Sequence, residues 1–340
     1  MRASGSWLVA AAALACLAMT LPATAAQKVM YSLTEENDSI FTTQDRHYTQ
    51  GLLFARTAVA DPGSFWDRVG KDFGHLPGWL GAGPAVTRHY TFPLVGQSMF
   101  TPTNITSPTP DPKDRPYAGW LYVGAGLSQR DASGRTDDFQ VLAGVVGPSA
   151  LAMQVQNGFH AIFGFHKADG WGHQLRDEPA LLLSYQTTWD QRLPQLGPIS
   201  TDLLPSVGVV AGNVLTYGSV SFTLRLGQGL DAGAPTRTIT PGLSGSGWFD
   251  PSLMNGPVAW WIYGGLQGRA VARNIFLQGN SWRTSPSVPM RRLVADEDVG
   301  LALLFRIGVR VDVSYIRRSK EFFGQQNDDR IGSITVSAPF

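Results

Sequence analysis

The chain has 340 residues, of which 43% are hydrophobic, 11% aromatic and only 16% charged, with a formal net charge of +1. That much apolar and aromatic content excludes a disordered chain, and the balanced charge excludes the basic field that gathers nucleic acid. A single cysteine, Cys16, excludes a disulfide scaffold and a cysteine-based zinc site.

In chain order, Arg2, the apolar run from Trp7 to Leu21 and Ala23-Thr24-Ala25 predict a secretory signal peptide over 1–25, leaving a single domain over 26–340. A lipoprotein would use Cys16, but Ala13-Leu14-Ala15 matches a lipobox poorly and the apolar run continues past it. The exported chain is then formally neutral and cysteine-free, so it crosses an oxidising compartment with no disulfide to hold it. No later stretch offers the ~18 consecutive apolar residues of a spanning helix.

The rest of the chain shows period-two alternation instead. Val220, Phe222, Leu224 and Leu226 alternate with Ser221, Thr223 and Arg225; Val299, Leu301, Leu303 and Phe305 alternate with Gly300, Ala302 and Leu304; Val309, Val311, Val313 and Tyr315 alternate with Arg310, Asp312 and Ser314. Such segments are strands with one apolar face. Twelve are expected, over about 27–34, 49–58, 88–101, 117–129, 136–147, 179–190, 203–212, 218–227, 257–271, 293–306, 308–318 and 329–340. A soluble sandwich shows the same alternation. Three features favour a membrane barrel instead. The export signal has no disulfides behind it. The aromatics Trp120, Tyr122, Trp189, Trp260, Trp261 and Tyr315 fall near strand ends, as an interfacial girdle requires. The last strand carries Ile334, Val336 and Ala338 on one face and ends at Phe340. The expected fold is therefore all-β, a 12-stranded antiparallel transmembrane β-barrel with a short helix in an outer loop.

An even strand number puts both termini on the periplasmic side and the odd-to-even connections outside. The longest of these, 148–178, carries a helical stretch from Ser149 to Phe165, with Leu151, Val155, Phe159 and Phe163 at one-turn spacing. The apolar inner connection 61–82, with Phe65, Trp66 and Phe73, reads as an interfacial helix. The stretch 229–256, rich in Gly, Pro and Ser, reads as a loop.

Three clusters carry chemistry. Glu35-Glu36-Asn37-Asp38 with Asp45-Arg46-His47-Tyr48-Thr49-Gln50-Gly51 is either a polar outer loop or a set of hard oxygen ligands suited to Ca²⁺. Asp114-Arg115-Pro116-Tyr117-Ala118-Gly119-Trp120 reads alone as a turn feeding strand four. Gln156-Asn157-Gly158-Phe159-His160 places a histidine on the loop helix, where it is either a satisfied polar residue or a general base at a membrane surface.

Together, and with Thr101-Pro102 and Gly147-Pro148 in the same order, these motifs make the chain resemble the LpxR-type lipid A 3′-O-deacylases of the outer membrane. The resemblance implies a twelve-stranded barrel, matching the independent count. It also implies an ester hydrolase acting on lipid A of the outer leaflet with Ca²⁺ as cofactor. By matching positions His160 is the expected base, and Asn37, Asp38 and Thr49 the other catalytic positions, with Asp38 and Asn37 as metal ligands. Arg115, Tyr117, Gln156, Arg317 and Arg318 are the expected substrate contacts.

Where some family members carry a lysine-rich second outer loop, residues 103–112 here read TNITSPTPDP, with Lys113 the only base nearby. Phosphate contacts then fall to Arg115, Arg273, Arg283, Arg317, Arg318 or Lys320, as bidentate arginine contacts or as ordinary outer-loop charge. Two other readings stay open. One is a non-enzymatic barrel, either a porin or a structural protein. The other is an outer-membrane phospholipase, which would need a serine paired with a histidine; His89 lies at the periplasmic end of strand three with no such partner.

Overall fold

The computed structural model describes residues 29–41, 46–74, 85–233 and 247–339. The expected signal peptide, Asp45, His75 and the terminal Phe340 lie outside the described residues. Thirteen extended segments form one antiparallel sheet. Two of them, Glu178–Trp189 and Gln191–Leu196, are one strand interrupted at Asp190, since both pair with the same neighbouring strand. The barrel thus has twelve strands: β1 (Val29–Asn37), β2 (His47–Val59), β3 (Ala85–Thr101), β4 (Ala118–Asp131), β5 (Arg135–Val146), β6 (Glu178–Trp189 with its continuation), β7 (Ile199–Gly212), β8 (Leu215–Gln228), β9 (Val258–Asn274), β10 (Leu293–Phe305), β11 (Arg310–Arg318) and β12 (Asp329–Ala338). Each pairs with its chain neighbours, and β1 pairs with β12. Closure leaves no free sheet edge, the condition for a sheet to stand in lipid.

The alternation resolves inside out. On β8 Val220, Phe222 and Leu224 are 50%, 51% and 40% exposed, while Ser219 and Arg225 are buried. The same holds for Leu52 and Phe54 on β2, Leu181 and Leu183 on β6, and Ile262 and Leu266 on β9. A soluble sandwich buries its apolar face; here that face looks outward on strand after strand, which suits a lipid solvent. The girdle expectation needs correcting on this ground. Trp189 is exposed, but Trp120, Tyr122 and Trp261 are buried, because their positions along β4 and β9 carry the inward parity.

The interior is filled by paired charges and rings. Toward the inner end Arg225 is bidentate on Asp202 (2.9 and 2.6 Å) and Arg310 on Asp312 (2.6 and 2.8 Å), with both guanidinium groups against Trp261. Leu230, Phe249 and Met254 of the long inner connection pack on the same tryptophan. Toward the outer end Asp296 accepts from both Arg269 and Arg318 at 2.9–3.1 Å. Arg115 donates to Glu321 at 2.7 Å. Pairing is what makes such burial tolerable.

Helix α1 (Phe65–Gly74) sits at the inner end, with Trp66 stacked on Tyr90 at 5.2 Å and Asp67 held by Arg88 and Lys71. Helix α2 (Ala152–Phe163) lies in the third outer connection as expected, and a single-turn α3 (Ile275–Gln278) comes directly after β9. The β6–β7 hairpin runs farther than the sequence indicated, to a turn between Leu196 and Ile199. Pro194 and Pro205 obscure the strand pattern there, since proline cannot complete a ladder.

Candidate active site

The site is on the outside of the wall. On β1 Ser32, Thr34 and Glu36 are buried inward, with the Thr34 hydroxyl 2.9 Å from that of Thr335. Tyr31, Leu33, Glu35 and Asn37 therefore look outward. Asn37 is the register partner of Gln50 on β2, Gln50 of Met99 on β3, and Met99 of Gly119 on β4. These four form one outward row at the outer end, about 14 Å long at the usual strand spacing.

Helix α2 covers the β3–β4 end of that row. Gly147, at φ 113°, turns the chain out of β5. Gln97 then donates to the carbonyl of Ala150 at 2.6 Å. Met99, Tyr117, Ala152, Ala168 and Trp171 form a small apolar cluster between helix and wall. The helix is inverted as the strands are. Leu151, Val155, Ile162 and Phe163 are exposed, whereas Ala152, Gln156 and His160, one turn apart, are buried. The apolar stripe thus meets lipid and the polar stripe faces protein. Gln156 accepts from the Trp171 indole at 2.7 Å. Asn157 exchanges two hydrogen bonds with the backbone of Ala168. His160 donates from Nδ1 to the carbonyl of His166. That bond fixes the tautomer, so a neutral imidazole carries its lone pair on Nε2.

The other groups come from the β1–β2 turn and the start of β2. Asn37 Oδ1 accepts from the amide and hydroxyl of Ser39 at 2.7 and 2.5 Å, and the buried Asp38 accepts from the amide of Arg46. A bulge between Tyr48 and Gln50 leaves Thr49 as the extra residue, its hydroxyl 2.6 Å from that of Thr101. Bulges re-aim side chains in this way. His47 starts β2 at φ 63°, with Nδ1 2.6 Å from Asp329 and Nε2 3.4 Å from Asp114. Partial burial pushes the Asp114 carboxyl up. The His47 contact and the amides of Thr103 and Arg115 outweigh it and hold the group well below the usual carboxylate range.

A family model described as outer membrane protein LpxR matches residues 8–340. The chain belongs to the LpxR family. Its fold matches LpxR from Salmonella typhimurium with a TM-score of 0.72 at 19% identity, covering 92% of this chain and 100% of that one. Weaker likenesses are to the β domain of the Bordetella autotransporter BrkA (TM-score 0.44, 9% identity, 93% and 100% covered) and the outer-membrane enzyme PagL (TM-score 0.24, 15% identity, 47% and 91% covered). Nothing among curated protein sequences matches.

Within this LpxR-family barrel the expected substrate contacts separate. Arg115 and Arg318 point into the lumen, on Glu321 and Asp296, so neither guanidinium reaches the lipid side. Tyr117 is fully buried, its hydroxyl donating to the Ile105 carbonyl at 3.1 Å and its ring against Trp171. Of Arg115, Arg317 and Arg318, Arg317 is the exposed one, on the outer wall, held by Asp328 at 2.7 Å and by Glu297 at 3.4 Å. Sequence reasoning missed Glu35 and Gln97 as wall residues and Trp171 as the group that orients Gln156. The strands did carry a signal for the first two, polar residues at outward positions. Trp171 carried none, since only the folded loop brings it to α2.

Proposed function

We propose that this LpxR-family barrel is a lipid A 3′-O-deacylase, a carboxylic-ester hydrolase that removes an ester-linked acyl or acyloxyacyl chain from lipid A in the outer leaflet. The observation that carries this reading is His160. It is a buried histidine on the wall-facing stripe of an otherwise lipid-facing helix, with Nδ1 committed to a backbone carbonyl.

In this reading Nε2 takes a proton from water as its oxygen attacks the ester carbonyl, a step worth typically ~10²–10⁴-fold. The imidazolium then returns the proton to the departing sugar oxygen, leaving a free fatty acid and an alcohol. Asn37 serves as an oxyanion donor or neutral ligand, Asp38 as the anionic ligand and Thr49 as a hydrogen-bond positioner. Gln156, held by Trp171, lines the helix side, and Arg317 contacts a lipid A phosphate.

Asp38 and Asn37 offer only oxygen donors, the kind that suits Ca²⁺. Among the described residues no three His, Cys, Asp or Glu side chains are arranged to hold a metal ion. The two would therefore hold the ion together with backbone, water or substrate oxygens. Bound there, Ca²⁺ would stabilise negative charge on the ester oxygen.

The porin alternative is disfavoured by the lumen, which paired arginines and aromatic rings fill from both ends. The deciding experiment is mass spectrometry of lipid A from cells expressing the chain. Acyl loss with the parent and none with His160→Ala is expected, the variant still migrating as a folded barrel. Equal acyl loss from both would remove His160 as the base.

A further inference from the structure

Arg56 is a cation on the lipid-facing side of the wall. Its neighbour Thr57 is buried inward, with its hydroxyl 3.0 Å from that of Thr91, so Arg56 shares the outward row of the exposed Leu52 and Phe54. Its register partner is Tyr31 on β1, six residues before Asn37 and so about 20 Å along the strand from the outer row. On β3 one extra residue at Phe92-Pro93 shifts the register opposite Arg56, since proline cannot complete a ladder. Arg56 Nη1 donates to the Phe92 carbonyl and to the Tyr90 hydroxyl, each at 3.4 Å, and the guanidinium lies 5.9 Å from the centre of the Tyr90 ring. These partners are neutral. The acidic groups among the described residues of the β2–β3 connection are Asp61, Asp67 and Asp72. Asp67 is held by Arg88 and Lys71, and among the described residues no ion pair joins any of the three to Arg56.

A cation on such a surface is costly unless it reaches the headgroup layer or meets an anion there. Tyrosine and tryptophan rings mark the depth of that layer. Arg56 stands between Tyr31 and Tyr90, and Trp66 of α1 stacks on Tyr90 at 5.2 Å. Helix α1 itself shows outward the mixture an interfacial helix needs, with Phe65 60% exposed and Arg68 and Lys71 exposed beside it. We propose that Arg56 is a binding site for the phosphodiester of an inner-leaflet phospholipid. Tyr31 and Tyr90 flank the headgroup, and the exposed rings of Phe54 and Phe92 lie against the acyl chains. A guanidinium matches phosphate oxygens through paired donors, and it has five donors to offer where two long contacts occupy one nitrogen. The occupant is a lipid because the guanidinium opens onto the lipid face, next to rings that suit acyl chains. Such a lipid would hold the inner end of the barrel, and α1 with it, at headgroup depth. The site lies at the opposite end of the wall from Asn37 and His160, so it stands whether or not the barrel is a deacylase.

The test is native mass spectrometry of the purified full barrel, released from detergent micelles at stepped lipid concentrations. The probes are phosphatidylglycerol, a diacylglycerol with the same chains and no phosphate, and soluble glycerol 3-phosphate. The parent is expected to bind phosphatidylglycerol on the order of 10- to 100-fold more tightly than the diacylglycerol, the discrimination of hydrogen bonds between charged groups. Arg56→Gln should lose that preference, while Arg68→Gln, which removes an exposed charge from α1, should keep it. A parent that binds both lipids alike, or an Arg56→Gln barrel that keeps the preference, overturns the assignment. Equal loss from Arg56→Gln and Arg68→Gln also overturns it, because general surface charge would then account for the binding. Glycerol 3-phosphate that displaces the lipid at matching concentration would make this a site for soluble phosphate and overturn the lipid assignment. Should Arg56→Gln fail to fold, Arg56→Met, which keeps an unbranched apolar stem, carries the same comparison.

Discussion

Gly119 of β4 and Ala152 of α2 are in direct contact: a Cβ added at Gly119 would lie 2.6 Å from that of Ala152. The absence of a side chain on the outer wall is what lets the helix bearing His160 lie flat against it. Gly119→Val should lift α2 without disturbing the ladder, because valine suits a strand. The expected result is a deacylation rate lower by roughly 10²-fold, as a misplacement of about 1 Å can cause, with barrel migration on gels unchanged. Full activity in this variant would show that helix seating does not position the base.

Among the described residues of the β1–β2 turn, Asp38 carries the negative charge. Under the deacylase reading, chelation should stop deacylation and added Ca²⁺ should restore it. Asp38→Ala should raise the Ca²⁺ concentration needed for half-maximal activity at least ~10-fold, since a carboxylate is the strongest single ligand in such a site. Activity indifferent to chelator would remove the metal from the mechanism.

Asp296 bridges Arg269 and Arg318 inside the barrel. Asp296→Ala would take from two buried cations the carboxylate to which both are hydrogen-bonded. Removing one partner of such a pair costs about 3–5 kcal/mol. Urea unfolding of the reconstituted barrel should show a midpoint well below that of the parent.

Glu321 lies in the last outer connection, beyond the membrane. Burial pushes its carboxyl up, but Arg115, Arg318 and Arg269 outweigh that and bring it down from 4.5 to about 2. The folded value is the lower one, so the charge stabilises the fold above pH ~4.5 and that contribution fades as the pH falls toward 2. Acid titration followed by tryptophan fluorescence should show the parent losing stability over that window. Glu321→Gln should be weaker at neutral pH and flatter across it.

Much of the molecule was legible before any coordinates. The alternation of Val220, Phe222 and Leu224 with polar neighbours set the strand period, and the hairpin rhythm set the number of strands. The motifs around Asn37, Asp114 and His160 set the family. Period-two patterning is a local property of the chain, so it survives in the sequence. Which face of a strand meets which medium is not local. Trp120, Tyr122 and Trp261, read as a membrane girdle, belong to the interior by parity, and Arg115 and Arg318, read as lipid contacts, pair inside with Glu321 and Asp296.

By itself, then, the sequence determined the strand period, the helix in the third outer connection and the family, because each depends on neighbours along the chain. Only the tertiary structure decided that α2 turns Gln156 and His160 toward the wall, that Trp171 braces Gln156, and that Glu35 stands beside Gln50 below Asn37. Those relations depend on barrel closure and strand register, which bring together residues far apart in the chain and which no single segment encodes.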